Sequence, residues 1–170
     1  MRTLLLSGGK DSALIAAHHR SSLDNALIFH YGQPHAVEVS RAIRVAHKYD
    51  LPWELVLLPR LAMDPSNPVV PHRNLLFLAH AAARGATEIF LGANKADQGL
   101  FEDCRREYLD RVSDLLGVRI VTPLMDQDKA YIIRGCSEEG LDDIVWSCYD
   151  PQGYDKPCGV CGACAAEVAR

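Results

Sequence analysis

Short apolar runs alternate with longer segments of helical periodicity along most of the chain. The short runs have the length of strands, whereas in the longer segments apolar residues recur at the spacing of one helix face. The predicted strands cover residues 3–6, 26–30, 53–58, 88–92 and 118–122. The predicted helices cover residues 11–19, 36–49, 75–84 and 103–116, and a last helix begins over residues 130–136.

This alternation predicts an α/β fold with a doubly wound, mostly parallel five-stranded sheet of the Rossmann-like type. Parallel neighbours need crossover helices, and strands covered on both faces are continuous apolar runs, as these strands are. Such sheets bind ligands at the carboxyl ends of their strands, so functional residues are expected there. We predict a nucleotide- and substrate-binding domain over residues 1–146 and a cysteine-rich tail over residues 147–170.

The composition is typical of a globular protein that buries one core, with 48% hydrophobic and 24% charged residues among 170. The net charge of −4 argues against a broad electrostatic surface for nucleic acid, so no direct nucleic-acid binding is expected. Apolar runs of membrane-spanning length and a signal peptide are both missing from the pattern. The sequence therefore predicts a cytoplasmic protein with reduced thiols and no membrane partner.

The first predicted strand leads through Ser-Gly-Gly-Lys-Asp-Ser into a helix. Glycines let the backbone approach a ligand closely, and the first turn of a helix attracts an anion. The sequence therefore predicts a phosphate loop, in which a lysine adds positive charge and an aspartate can help to hold Mg²⁺. The alternative is a plain strand-to-helix turn in which Asp11 or Ser12 caps the helix. The residues predicted to bind phosphate are Ser7, Gly8, Gly9, Lys10, Asp11 and Ser12.

Four of the six cysteines are crowded near the end of the chain, at Cys148, Cys158, Cys161 and Cys164. In a reducing compartment this spacing indicates a metal site rather than disulfides. Four thiolates favour a closed, tetrahedral, structural Zn²⁺ site, and an iron–sulfur cluster is the alternative.

Four further motifs follow the strands in order. They are Tyr31-Gly32-Gln33 with His35, Val70-Pro71-x-Arg73-Asn74, Gly92-x-Asn94-x-x-Asp97 followed by Asp103-x-Arg105, and Thr122-Pro123-Leu124 with Lys129-x-x-Ile132. The loop of residues 7–12 resembles the pyrophosphate loop of the N-type ATP pyrophosphatases, or adenine nucleotide alpha-hydrolase-like group. Together with the cysteine tail, the motifs resemble the 7-cyano-7-deazaguanine (preQ0) synthase family over most of the chain.

The resemblance implies an ATP-dependent C–N ligase of queuosine biosynthesis. Such an enzyme converts 7-carboxy-7-deazaguanine and ammonia to 7-cyano-7-deazaguanine through an adenylated intermediate and an amide. It implies ATP as co-substrate, Mg²⁺, structural Zn²⁺ and a homodimer. The implied catalytic residues are Lys10, Asp11, Arg73 and Lys129. The implied substrate-binding residues are Tyr31, Gln33, His35, Arg73, Asn74, Gly92, Asn94, Asp97, Asp103 and Arg105.

The residues themselves suit this chemistry, but several of them have a simpler reading. Carboxylates and amides can recognise the donors and acceptors of a deazapurine, and Arg73, Arg105 or Lys129 could pair with its carboxylate. Arg73 could instead only begin a helix, and Lys129 could be a solvated first-turn lysine. Cys104 is expected to be inert, and Cys136 to lie in the core.

The chain also departs from the family pattern. Only 11 residues separate Leu58 from Val70, where family members usually carry a longer insertion. This leaves open a product that stops at 7-amido-7-deazaguanine, or a role in deazaguanine DNA modification or defence. A tRNA-thiolating ATP pyrophosphatase and a catalytically impaired nucleotide-binding module are the remaining alternatives.

Overall fold

The predicted strands form one sheet in a computed structural model that describes residues 1–33, 36–62, 69–148, 150–162 and 164–165. The strands are β1 (Arg2–Leu5), β2 (Asn25–His30), β3 (Trp53–Leu57), β4 (Glu88–Phe90) and β5 (Arg119–Val121). The helices are α1 (Lys10–His19), α2 (Val37–Lys48), α3 (Arg73–Ala83), α4 (Asp97–Leu100), α5 (Arg106–Leu116) and α6 (Lys129–Glu138).

The sheet has the strand order β3-β2-β1-β4-β5, and every neighbouring pair is parallel. β1 is central, because Leu4 pairs with Ala26 of β2 on one side and with Phe90 of β4 on the other. The chain winds outward from β1 to β3 and then returns to β4. The order therefore reverses between β1 and β4, which is where such sheets bind ligands. The predicted fold class is confirmed.

Side chains of the central strand alternate between two cores, one on each face of the sheet. Leu4 lies in the core that also contains residues of α1, α2 and α6, such as Leu14, Val45 and Ile132. Leu5 lies in the opposite core, with residues of α3 and α5 such as Leu78. Because both faces are covered, β1 is buried and its carboxyl end is held rigidly under the loop that follows it.

The predicted helix over residues 103–116 is wrong at its beginning. Glu102–Cys104 forms a separate 3₁₀ turn, Arg105 has an extended backbone with ψ of 146°, and α5 begins at Arg106. Tertiary contacts hold this break open, because Asp103 accepts a hydrogen bond from the Asn74 backbone and the Arg105 guanidinium donates to the carbonyl of Gln98. Helical periodicity alone does not reveal such contacts. The short α4 was not predicted either.

The described part of the tail contributes no strand to the sheet and packs on the amino end of α2. None of the helices within the described ranges combines the length and apolar content needed to cross a bilayer.

Candidate active site and metal centre

The turn between β1 and α1 requires glycine at position 8. Gly8 has a φ of +88°, a backbone conformation that favours glycine. A Cβ built on Gly8 would lie 2.3 Å from the carbonyl oxygen of Glu38 and 2.8 Å from the backbone nitrogen of Ala42. The loop therefore lies directly against α2, and any side chain at this position would push the two apart.

The two serines hold the shape of this loop. The Ser12 hydroxyl accepts a hydrogen bond from the Ser7 backbone N–H at 3.1 Å and lies 3.0 Å from the Ser7 hydroxyl. It also donates to the Gly9 carbonyl at 3.2 Å. The helix cap is Gly9, which has no side chain that could accept the backbone N–H groups of the first turn. The alternative in which Asp11 or Ser12 caps α1 is therefore wrong, and the positive end of this helix faces the carboxyl edge of the sheet.

Asp11 joins three segments that are distant in sequence. Its Oδ1 accepts a hydrogen bond from Asn94 Nδ2 at 2.7 Å, and its Oδ2 pairs with Lys129 Nζ at 3.1 Å. Gly92 permits this approach, because a Cβ on Gly92 would lie only 3.1 Å from both the Asp11 Cβ and the Ser12 nitrogen. Four residues predicted from three motifs thus meet at the reversal point between β1 and β4.

Asn94 and Asp97 organise the turn after β4. Asn94 is 1% exposed, and its side-chain oxygen accepts the backbone N–H groups of Ala96 and Asp97 at 2.9 and 3.2 Å. The Asp97 carboxylate accepts the Asn94 N–H in return at 3.1 Å. Burial raises the pKa of Asp97, and the nearby Asp11 carboxylate raises it further. Two acidic side chains close together in a half-buried site are a typical ligand set for a hard divalent cation.

A second group of predicted residues lies around Arg73, the first residue of α3. The Arg73 guanidinium lies 3.5 Å from the hydroxyl oxygen of Tyr31, to which it donates. Burial alone would lower the pKa of Arg73, but the Tyr31 hydroxyl and the Asp103 and Glu38 carboxyl groups raise it. Asp103 in turn accepts the backbone N–H of Asn74 at 3.3 Å. Arg73 is therefore a fixed cation, set among acidic groups at the carboxyl edge.

Glu38 belongs to this group and was missed by the sequence analysis. It lies in the first turn of α2, against the phosphate loop, where its sequence signal is only that of a polar residue on a helix. Burial raises the pKa of Glu38 to about 8, although the positive charge of Arg73 opposes the shift. This carboxyl group therefore gains and loses its proton near neutral pH.

Replacing Glu38 by glutamine is expected to change how stability depends on pH. The pKa of Glu38 rises from 4.5 to about 8 on folding. Between these two pH values the native state binds a proton that the unfolded state has lost. The free energy of unfolding therefore falls as the pH rises from about 4.5 to about 8. Relative to the wild type, Glu38→Gln should melt at an equal temperature near pH 5 and on the order of 3–6 °C higher near pH 8. Thermal melts across this range measure the difference. The exposed Glu54→Gln is the control, and equal pH dependence of Glu38→Gln and the wild type would contradict the assignment.

Among the described residues, two of those predicted to bind substrate do not join these groups. The Gln33 side chain closes the turn after β2, since its oxygen accepts the Tyr31 N–H at 2.9 Å and its nitrogen donates to the Phe29 carbonyl at 3.3 Å. Arg105 is exposed and bonds to the Gln98 carbonyl at 3.1 Å. His35 lies outside the described residues. Binding by these three residues stays a prediction.

The four tail cysteines converge on one point. Their sulfur atoms all lie within 4.8 Å of one another, and Cys158 Sγ is 3.9 Å from Cys164 Sγ. A tetrahedral ion with zinc–sulfur bonds of about 2.3 Å separates its sulfurs by about 3.8 Å, so the cluster fits such an ion closely. Backbone N–H groups of Cys158 and Cys161 donate to the sulfurs of Cys148 and Cys158, as is common around bound thiolates. The arrangement suits the binding of one metal ion by four thiolates.

The two remaining cysteines lack the properties of reactive thiols. Cys104 and Cys136 are buried, at 7% and 0% exposure, and burial raises the pKa of each thiol to about 12. The nearby Asp103 carboxylate raises the pKa of Cys104 further. Both thiols are therefore protonated near neutral pH, and a protonated thiol is a poor nucleophile.

Solved structures with the same architecture support the fold. A predicted subunit of a tRNA methyltransferase from Methanocaldococcus jannaschii has a TM-score of 0.64 at 18% identity, over 81% of this chain and 74% of that one. NMN synthetase from Francisella tularensis has a TM-score of 0.61 at 15% identity, over 93% of this chain and 70% of that one. At these identities the similarity concerns the fold.

Sequence comparisons are more specific. Proteins named 7-cyano-7-deazaguanine synthase are 34% identical in Erythrobacter litoralis, over 95% of this chain and 83% of the relative, and 35% identical in Kineococcus radiotolerans, over 95% and 88%. The first alignment spans 199 positions, so the relative has residues that this chain lacks. A family model described as queuosine biosynthesis protein QueC matches this chain in two segments, residues 2–63 and 62–168. The two segments meet in the short connection before Val70. The chain belongs to the QueC family of queuosine biosynthesis proteins.

Proposed function

We propose that this protein is an ATP-dependent ligase that converts 7-carboxy-7-deazaguanine and ammonia to 7-cyano-7-deazaguanine. Membership of the QueC family, and relatives named for this product, support the substrate and the reaction class. The observation that carries the proposal is the meeting of Asp11, Asn94 and Lys129 beside the phosphate loop, at the point where the strand order reverses.

The phosphate loop and Asp11 bind ATP in this proposal. The backbone of residues 7–12 and the amino end of α1 hold the pyrophosphate part of ATP, and Lys10 and Lys129 offset its negative charge. Asp11 and Asp97 supply carboxylate oxygens for Mg²⁺, which would screen the phosphates when bound. Asn94 keeps Asp11 in place, since its amide donates to that carboxylate at 2.7 Å.

The group around Arg73 binds the acceptor substrate. Arg73 is held by Tyr31 and carries a permanent positive charge, so it pairs with the substrate carboxylate and turns one oxygen toward the α-phosphorus of ATP. Asp103 and Asn74, which lie next to it, bind the donors and acceptors of the deazapurine ring. Both groups lie at the carboxyl edge of the sheet, so ATP and substrate bind side by side.

The chemistry uses two activations of oxygen. A substrate carboxylate oxygen attacks the α-phosphorus, and the bond from that phosphorus to pyrophosphate breaks. Ammonia then attacks the activated carbon, loses a proton, and displaces AMP to give the amide. The amide oxygen attacks a second ATP in the same way, and loss of AMP with two N–H protons gives the nitrile. The reaction needs no side-chain nucleophile, so the residues act by positioning and by offsetting charge.

The proposal also includes the metal ion at the cysteines, the cellular location and the oligomeric state. The four tail cysteines hold a structural Zn²⁺ ion rather than an iron–sulfur cluster, because a closed set of four thiolates suits zinc. The protein is placed in the cytoplasm, where the thiols of a four-cysteine metal site stay reduced. It forms a homodimer, which is supported by an apolar stripe on the edge strand β3, where Trp53, Leu55 and Leu57 are 37%, 36% and 72% exposed.

The thiolation alternative is less well supported. Transfer of sulfur by a protein side chain needs a cysteine that is accessible and ionised, whereas Cys104 and Cys136 are buried and have a pKa of about 12. In this proposal the four tail cysteines bind a metal ion, so their sulfurs are not the accessible thiolates that sulfur transfer needs. The amide-forming and DNA-modification alternatives share the first activation step, and product analysis separates them.

Mass analysis of the reaction tests the proposed function. Purified protein is incubated with ATP, Mg²⁺, ammonium and 7-carboxy-7-deazaguanine, and small molecules are followed over time. We expect the nitrile to accumulate after a transient amide, with AMP and pyrophosphate as co-products. Accumulation of the amide alone would support the truncated reaction. No consumption of ATP with this substrate would contradict the proposal.

A further inference from the structure

Gly8 and Gly9 of the phosphate loop both lie against the backbone of Trp146, which is distant in sequence. The backbone N–H of Trp146 donates to the Gly8 carbonyl at 2.9 Å. The carbonyl oxygen of Trp146 lies 3.5 Å from the place where a Cβ on Gly9 would stand. The backbone at Trp146 therefore helps to fix the position of the loop.

The indole of Trp146 is in turn fixed by the cysteine cluster. It is 6% exposed, and its Nε1–H donates to the carbonyl of Cys148 at 2.8 Å. The ring packs with Val37, Cys148 and Cys164, two of which are predicted metal ligands. A change in the position of Cys148 must therefore move a hydrogen-bonded and closely packed indole.

Arg41 of α2 makes further contacts with Trp146 and with the tail. Its guanidinium lies 5.9 Å from the centre of the Trp146 ring, within the range of a cation–π interaction. It also donates to the Asp143 carbonyl at 2.7 Å and lies 3.7 Å from the Asp155 carboxylate in the tail. The tail, Trp146 and α2 are thus in contact with one another.

We infer that Trp146 is a positioning residue that couples occupancy of the cysteine site to binding of pyrophosphate by the loop. A metal ion on the four cysteines fixes Cys148, Cys148 fixes the indole, and the backbone of Trp146 fixes Gly8. Metal and pyrophosphate therefore bind more tightly together than either binds alone. The inference rests on the proposed role of the loop in holding pyrophosphate, and it gives the tail a task beyond stabilising itself.

Reciprocal titrations test the coupling with defined probes. Calorimetry measures the Kd of Mg²⁺–pyrophosphate for zinc-loaded protein and for protein stripped by a chelator. A competing chelator of known affinity then measures zinc affinity with and without Mg²⁺–pyrophosphate. We expect both affinities to change by the same factor, of about fivefold or more, because coupling between two sites is reciprocal. Equal pyrophosphate affinity in both metal states would overturn the inference.

A variant tests the route without removing the metal. Trp146→Phe keeps an aromatic ring but loses the N–H that donates to Cys148, and we expect full zinc content with about threefold weaker pyrophosphate binding. Trp53→Phe is the matched control: it keeps an apolar ring in the stripe on β3, and residue 53 begins that strand at the edge of the sheet opposite to the loop, so it should bind pyrophosphate normally. An unchanged Kd for Mg²⁺–pyrophosphate in Trp146→Phe would overturn the inference. This test also holds if the metal-stripped protein unfolds, because the variant is expected to keep its zinc.

Fluorescence supplies a signature that a merely structural role would not give. The chain has two tryptophans, so in Trp53→Phe all indole emission comes from Trp146. Pyrophosphate should shift this emission in zinc-loaded protein, and zinc removal should abolish the shift. An emission unaffected by bound pyrophosphate would count against the coupling. If pyrophosphate and ATP bind in neither metal state, the proposed function itself fails, which distinguishes the two outcomes.

Discussion

Replacing Asp11 by alanine is expected to lower kcat on the order of 100- to 1000-fold while the cysteine site keeps its metal. The change removes the carboxylate that accepts Asn94 at 2.7 Å and pairs with Lys129 at 3.1 Å. It also removes a ligand proposed for Mg²⁺. Steady-state kinetics with ATP and the carboxylate substrate measure the loss, and elemental analysis follows the metal.

Two variants make this result specific. Asp11→Asn keeps the size of the side chain but removes its charge, so a similar loss assigns the effect to charge rather than to packing. Asp126→Ala removes an aspartate whose side chain is 82% exposed and which pairs with Arg106 on the surface, and it should remain active. An Asp11→Ala enzyme within about threefold of wild-type activity would contradict the proposed role of this site.

Replacing Cys148 by serine is expected to remove the bound metal and to destabilise the protein strongly. Cys148 is 2% exposed, and its sulfur lies within 4.8 Å of the three other cluster sulfurs. Because structural zinc contributes its binding energy to folding, metal content should fall from about one ion per chain to nearly none, and the melting temperature should drop on the order of 10 °C. Elemental analysis and thermal melts measure both effects.

Cys104→Ser is the matched control for this experiment. Cys104 is also a buried thiol, at 7% exposure, but it lies outside the cluster, so the variant should retain its metal. Full metal content in Cys148→Ser would contradict the four-cysteine site. Iron with labile sulfide in the wild-type protein would contradict zinc.

The sheet and the phosphate loop could be predicted because their signals are local. Apolar runs mark strands that are covered on both faces, and glycines before a helix mark an anion-binding turn. The tail cysteines could be predicted for the same reason, since residues 158–164 carry three of the four sulfurs. For these features the sequence neighbours are also the spatial neighbours.

The contacts that assemble the site could not be predicted in this way. Asp11 meets Asn94 across 83 positions and Lys129 across 118. Their positions after strands indicated the same edge of the sheet for Asp11 and Asn94, but no local pattern indicated these contacts. Glu38 has a raised pKa because of tertiary burial, which no local pattern records. Trp146 touches Gly8 through its backbone, and a backbone hydrogen bond leaves no trace in residue type.

The structure shows that some of the predicted side chains already make local contacts. Gln33 was predicted to bind substrate, which stays a prediction, and the structure shows that its side chain also closes the turn after β2. The Ser7 and Ser12 hydroxyls lie 3.0 Å apart and support the loop from within. Residue type and position after a strand indicate that a side chain is near a site, but not which of its groups are already engaged.

Isotope tracing of the substrate carboxylate tests the central claim most directly. The substrate is labelled with oxygen-18 at both carboxylate oxygens and incubated with ATP, Mg²⁺ and ammonium, and the mass of the released nucleotide is measured. The account predicts two AMP molecules for each nitrile formed, each carrying one labelled oxygen, because each oxygen leaves on the phosphorus that activated it. Unlabelled AMP, or ADP with labelled phosphate, would contradict it.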